Sequence, residues 1–316
     1  MHAGPVDTPK AASSGRSKWD RQRLRMNVPL YIMFIPVIVY FAVFKYAPMG
    51  GLMIAFKHYN FTDGIWGSPW AGFDNFKLIF TNPNMQNVLR NTFVLSVLQL
   101  VIGFPFPILV ALLIHEVRSR WYKKAVQTAV FLPHFLNWVI IGGLIATIFA
   151  QRTGIVNAVV ERLTGETFAF LYNPESWMAI FIGSGIWKGA GWGAIIYLAA
   201  LSSVDTSLYE ASSLDGANKW RQMWHISLPA IRPVIFILMI LSIGNIMEVG
   251  FDQVYVLQNS VVSSISEVIS TWNYKSGIGA GRFSIATALG LFESLVGLVL
   301  VLTANSIARR YDNGLW

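Results

Sequence analysis

The chain has 316 residues, of which 54% are hydrophobic and only 13% charged, with a net charge of +8 and a mean hydropathy of +0.50. A soluble domain carries about 25% charged residues, so a soluble enzyme or a nucleic-acid binder is excluded in favour of a membrane protein. The absence of cysteine removes disulfides, a thiolate nucleophile and Cys-ligated metal, and the five histidines are scattered at 2, 58, 115, 134 and 225, so no metal site is expected.

Residues 1–28 are rich in Pro, Ser, Lys and Arg without periodicity and read as a disordered basic tail. The apolar run that follows, roughly 30–50, is too long for a signal-peptide core and is read as a retained span. With its external loop it makes a segment 29–91. Further spans are expected near 92–114, 126–150, 177–200, 232–251 and 284–305, within a core at 92–310 and before a short tail at 311–316. That makes six spans of about 20 residues. Pro36, Pro105, Pro107 and Pro133 fall inside spans, which lipid-embedded helices tolerate as kinks.

With the N-terminus inside, the inner segments hold 15 of the 24 Lys and Arg, against 7 in the outer segments. Basic residues mark the cytoplasmic side, so both termini are expected there. In the outer segments, residues 52–91 suit a folded loop or interfacial helix. Val156, Val159, Val160 and Leu163 have the spacing of a short amphipathic helix.

The third inner segment, 202–230, holds the most specific pattern. It reads as two short helices, with Asp205 expected to cap the first and Asp215 the second. Gly216 permits close approach or an unusual backbone angle at their join, and Pro229 marks re-entry into the membrane. Leu208, Ala211 and Leu214 share one face, and Trp220, Met223 and Trp224 another. Such faces in a polar loop call for a covering partner.

Glu210-Ala211-Ser212, then Asp215-Gly216-Ala217, then Ile226-x-Leu228-Pro229 resembles the cytoplasmic loop of the permease subunits of bacterial ATP-binding-cassette (ABC) importers. Their pattern is Glu-Ala-Ala, three residues, Gly, then nine residues to Ile-x-Leu-Pro, and Ser212 is the one departure. The resemblance covers roughly residues 88–310. Phe34-Ile-Pro36, Tyr46-Ala-Pro48 and Phe56-x-x-Tyr59-Asn60 look like the carbohydrate branch, and more narrowly the oligo- and polysaccharide subgroup with its alginate-type systems.

The resemblance implies an all-α integral membrane protein of the bacterial inner membrane: six transmembrane helices, five of them a type I importer core. It implies that Glu210, Ala211, Ser212, Asp215, Gly216 and Ala217 form a coupling loop docked on an ATPase. The implied partners are a second related permease, two ATPase subunits and an external solute-binding protein, with a sugar as substrate. The chain has no Gly-x-x-x-x-Gly-Lys-Ser/Thr loop to cradle phosphate. It is therefore not expected to be an enzyme or to bind a cofactor, and ATP-Mg would be used by the partner subunits.

Charges in mid-span cost ~2.5–3.5 kcal/mol on insertion scales and tend to face a cavity or a partner. Lys188 and Glu293 are expected either to pair, with each other or with Glu248, or to line the path. Sugar recognition wants aromatic faces and planar hydrogen-bonding groups, and the candidates are Asn137, Trp138, Lys188, Trp192, Tyr197, Asn245, Glu248, Asp252 and Gln253. Gly185, Gly189 and Gly193 have the spacing of close helix packing. Two alternatives stay open: an importer of the same superfamily for a non-sugar solute, and an ion-coupled transporter using Glu248, Glu293 and Lys188.

Overall fold

The computed structural model describes residues 16–310. Its named elements are all helical, and one isolated antiparallel bridge joins Lys57 to Trp70. The chain divides into two compact units at Met53. In the first, helix α1 (Arg16–Phe41) runs on through a wide turn at Ala42–Tyr46 and then tighter turns from Ala47. It starts inside the segment expected to be an irregular tail; residues 1–15 of that tail, and the C-terminal segment 311–316, lie outside the described residues.

After a single helical turn at Gly64–Gly67, the second unit continues with α2 (Asp74–Thr81), α3 (Pro83–Gly103) and α4 (Pro105–Glu116). The last two form one apolar stretch of 34 residues. Helices α5 (Arg120–Phe131) and α6 (Trp138–Ile148) meet at a bend of 101°. Pro133 supplies the break, since it lacks an N–H and crowds the preceding turn. Asn137 restarts the helix, its side chain accepting from the Val139 N–H at 3.0 Å.

Helix α7 (Ile155–Thr164) is the short amphipathic helix expected there, closed by Gly165 at φ +80°. The longest helix, α8 (Pro174–Ser202), leads into the hairpin α9 (Thr206–Leu214) and α10 (Lys219–Gln222). The chain from Lys219 to Ala230 then bends by 62° into α11 (Arg232–Gly244). Helix α11 stops short of the 251 boundary expected for this span. The backbone unwinds over 245–250 and resumes as α12 (Phe251–Leu257), and α13 (Phe283–Arg309) ends the described chain. Among the described residues, four helices are long and apolar enough to cross a membrane, or up to six if each bent pair is one span.

Packing centres on α8. Trp177 is 1% exposed, lies against Phe181 with ring centres 5.3 Å apart, and donates its indole N–H to the Leu257 carbonyl at 2.8 Å. That polar handle lets a large ring be buried without an unsatisfied donor. Three members of α8's glycine series make room for neighbours. A Cβ on Gly191 would strike the Val130 carbonyl, one on Gly193 would lie 3.0 Å from Pro107, and one on Gly185 would strike the Gln99 amide. Gly183 and Gly189 face open space, so close packing accounts for only part of the series.

The unit's two ends are tied separately. At the hairpin end, Lys219 pairs with Glu116 at 3.0 Å. At the other, Asn259 donates to the Leu171 carbonyl at 2.8 Å and Asn91 to those of Ser264 and Glu267 at 2.9 and 3.1 Å.

Candidate functional site

Two regions concentrate polar chemistry: the 205–230 hairpin and the unwound segment 245–250.

The hairpin is built by its caps. The Asp205 carboxylate accepts from the Ser207 N–H at 2.9 Å; that bond, with help from the Ser207 hydroxyl, holds its carboxyl below the usual range. At the far end of α9, Gly216 has φ +78°. The Ala217 N–H reaches the Ser212 carbonyl at 2.9 Å and the Gly216 N–H that of Ser213 at 3.2 Å. This is a Schellman closure, which needs a left-handed residue where glycine sits. Of the two roles open to Gly216, the unusual angle is the one observed; a Cβ there would meet nothing within 4 Å.

Asp215 does not cap the second helix. It ends the first, its N–H bonded to the Ala211 carbonyl at 3.1 Å, because the closure consumes 215–217. Asn218 does the capping, accepting from the Arg221 N–H at 2.9 Å.

Gln222, 2% exposed, locks the two arms together. Its amide nitrogen lies 2.9 Å from the Ser212 hydroxyl, 2.8 Å from that of Ser213 and 3.1 Å from the Tyr209 carbonyl. The Tyr209 and Ser227 hydroxyls meet at 2.9 Å. Glu210, Ala211, Asp215 and Gly216 are exposed and Ser212 and Ala217 half-buried. Leu208, Leu214, Trp220 and Trp224 also stand exposed, Leu214 at 90%. Met223 instead turns into the core with Tyr197 and Leu201, because the wide turn at Met223–Ser227 rotates it off the Trp face.

Around 245–250 lie two cavities. One, of about 350 Å³, is lined by Ser96, Gln99, Ser242 and Gln253 among others. A second, of about 670 Å³, is lined by Ser270, Asn273, Glu293 and Ser294 among others. Asn245 and Glu248 belong to both, because unwinding leaves this stretch as a thin wall between them. Ser96 Oγ, Gln99 Oε1 and Asn273 Oδ1 are shielded and have no hydrogen-bond partner among the described residues. A buried polar group is normally satisfied, so these atoms are suited to meet a hydroxyl-rich guest.

The structure thus gathers Asn245, Glu248 and Gln253 from the sequence candidates. Gln253 is partly committed, donating to the Phe181 carbonyl at 2.6 Å and the Ser184 hydroxyl at 3.3 Å. The remaining candidates lie elsewhere. Asn137 caps α6, Asp252 is exposed outside both linings, and Tyr197 is 2% exposed in the core. Trp192 stacks on His134 with ring centres 4.5 Å apart.

Lys188 is paired with neither glutamate. Its ammonium donates to the carbonyls of His134, at 2.8 Å, and Leu136, and lies 5.6 Å from the Trp138 ring centre. It satisfies the carbonyls that the break at 132–137 leaves without helical partners. Sequence reasoning passes over Ser96, Gln99, Ser270 and Asn273. For Ser96 and Gln99 the available signal was their spacing, polar at i and i+3 in an otherwise apolar run, whereas Ser270 and Asn273 sit in a stretch already rich in polar residues.

A family model described as "binding-protein-dependent transport system inner membrane component" matches residues 103–315. The polygalacturonan/rhamnogalacturonan transport system permease protein YteP of Bacillus subtilis (strain 168) is 46% identical over 282 residues, 89% of this chain and 88% of that protein. A crystal structure of a bacterial ABC transporter involved in the import of the acidic polysaccharide alginate superposes with a TM-score of 0.85 at 42% identity. It covers 92% of this chain and 98% of the matched one. A crystal structure of bacterial alginate ABC transporter in complex with alginate pentasaccharide-bound periplasmic protein also has a TM-score of 0.85, at 41% identity and 93% and 98% coverage.

Proposed function

The chain belongs to the family of binding-protein-dependent transport system inner membrane components, and from that premise we propose that it forms half of the gated pathway of an ATP-driven oligosaccharide importer. It is a permease subunit of a carbohydrate ABC importer. In the proposed mechanism it performs no covalent chemistry. An external binding protein delivers the sugar, as the alginate pentasaccharide-bound periplasmic protein is captured with its transporter. Two ATPase subunits close on ATP, and a second permease completes the path.

The observation that carries this reading is the hairpin: a rigid, capped helix pair with Leu208, Leu214, Trp220 and Trp224 left exposed. It is braced to the end of α4 by Lys219 and Glu116. An apolar surface on a polar loop is the mark of an interaction site, and here the fitting occupant is the ATPase groove, with Glu210 as polar anchor. Closure of the ATPase pair would move α9 and, through the lock at Gln222 and the brace at Glu116, the spans above it. Only a difference in how ATP and loaded binding protein stabilise the two orientations can drive the switch.

Six spans with both termini in the cytoplasm fit the bias of Lys and Arg toward the hairpin side. The membrane is then the bacterial inner membrane. Asn245, Glu248 and Gln253, with Ser96, Gln99 and Asn273, form the proposed path lining. The alginate-type subgroup is supported by the two structural neighbours. The ion-coupled alternative loses its cation–carboxylate pair, since Lys188 is engaged by carbonyls.

The test is a pull-down of the detergent-solubilised chain from its native membrane, followed by reconstitution in liposomes. Copurification of a second permease and ATPase subunits is expected, with ATP hydrolysis raised by sugar-loaded binding protein. Transport by the chain alone on an ion gradient would overturn the assignment.

A further inference from the structure

A third cavity, of about 460 Å³, has Phe251, Tyr274 and Phe283 in its lining and shares Ser270 and Asn273 with the Glu293 cavity. These shared residues set the polar space around Glu248 and Glu293 beside an aromatic one. Phe251 and Tyr274 approach with ring centres 5.2 Å apart at 62°. Tyr255 backs them, stacked on Phe251 at 5.1 Å and 20° and edge-on to Tyr274 at 5.4 Å and 82°. The three rings hold one another in place, yet Tyr255 and Tyr274 are 43% and 45% exposed. Beside them Asn273 Oδ1 is shielded and unpartnered.

We propose that Phe251 and Tyr274, backed by Tyr255 and flanked by Asn273, form a stacking subsite for a pyranose ring, separate from the hydroxyl-binding groups around Glu248. The inference rests on the reading of this chain as a carbohydrate permease. A sugar ring presents an apolar C–H face and an equatorial rim of hydroxyls. The triad supplies an aromatic surface for the face, and Ser270 and Asn273 supply hydrogen-bonding groups for the rim, the usual division in a small-molecule site. Because Ser270 and Asn273 line both the aromatic and the Glu293 cavities, the pair favours a guest longer than one ring, with successive units on the aromatic and the carboxylate sections. The unpartnered Asn273 Oδ1 is an acceptor for which a hydroxyl-bearing guest has donors.

The test uses the complete importer in liposomes with two labelled oligosaccharide ladders, one neutral and one of uronates. Tyr274→Ala and Phe251→Leu are expected to raise the transport KM roughly tenfold, more for longer oligosaccharides than for short ones. Tyr274→Phe, which keeps the ring, should stay near wild type. Copurification of the second permease and stimulation of ATP hydrolysis by loaded binding protein should be unchanged. An unaltered KM in both disruptive variants, with wild-type uptake intact, would overturn the subsite alone. Loss of the second permease from Tyr274→Ala would also overturn it, assigning the triad to a subunit contact. A wild-type importer that carries neither ladder would overturn the functional reading itself.

Discussion

The buried amide of Gln222 donates to the hydroxyl of Ser212 at 2.9 Å, joining the residue that departs from the family's Glu-Ala-Ala pattern to the return arm of the hairpin. Because the same nitrogen also reaches Ser213 and the Tyr209 carbonyl, Ser212→Ala should be mild, about 0.5–1 kcal/mol. Gln222→Leu strips the donor from all three acceptors and should destabilise by about 1–3 kcal/mol. Thermal unfolding of the purified assembly gives the order. Transport per ATP hydrolysed should drop for Gln222→Leu and hold for Ser212→Ala.

At Gly216 the difficulty is backbone angle, not space. A φ of +78° with nothing near the site means that side-chain shape decides the outcome. Gly216→Val should lose about 1–2 kcal/mol and uncouple ATP hydrolysis from uptake. Gly216→Asn, better suited to the left-handed region, should keep most activity. Equal loss in both would show that something other than the turn is at stake.

Lys188 and Glu293 belong to different structures, one at a helix break and one on a cavity wall. Lys188→Met leaves two carbonyls without their donor and should destabilise by about 1–3 kcal/mol. Adding Glu293→Gln should bring no rescue, the two effects summing to within about 0.5 kcal/mol in a double-mutant cycle. Rescue would mean that the two side chains meet in another transport state.

Among the described residues, no Lys or Arg lines the cavities around Glu248 and Glu293. A uronate oligosaccharide therefore finds two carboxyl groups and no cation to pair with, a disadvantage a neutral one does not share. Glu248→Gln with Glu293→Gln should raise uronate uptake relative to neutral uptake severalfold. An unchanged ratio would place charge selection in other subunits.

The Asp205 cap sets a narrower expectation. Its carboxyl is held below the ordinary value of 3.8, so its contribution to stability is present above that value. It is lost as pH falls through the lower, folded-state value. The difference in unfolding temperature between wild type and Asp205→Ala should be flat from about pH 5 to 8 and shrink on further acidification. Asp205→Asn, which keeps an acceptor, should remove that acid dependence.

The long apolar helices were legible because lipid demands such runs, and the first arm of the hairpin because the Asp205 cap and Gly216 are local chemistry, whereas the second cap falls to Asn218 and not to Asp215. Placement of single aromatic and charged residues was not. Trp138, Trp192 and Tyr197 look alike in a hydropathy profile, yet one lies by an ammonium, one stacks on a histidine and one is sealed in the core. Hydropathy records that a residue avoids water, not which neighbour it avoids water against. Asn245 and Glu248 stood out because they interrupt an apolar run. Ser96 and Gln99 were hidden, because their significance arises only when α8 presents Gly185 beneath the Gln99 amide.

The ammonium of Lys188 clasps the carbonyls at the α5–α6 bend from its seat on α8, and Gly191 lets the backbones of α8 and α5 touch. These elements are therefore geared together: a tilt of α8 must drag the bend with it, or expose an uncompensated cation to lipid. Helices α11 and α13 meet at Gly244 and Gly297, where a Cβ on Gly297 would fall 2.7 Å from the Gly244 carbonyl. The Val301 side chain sits against Gly244 in the same joint, and Gly244, Gly297 and Val301 all line the cavity that holds Glu248 and Glu293, so any change in how α11 lies on α13 would reshape that cavity.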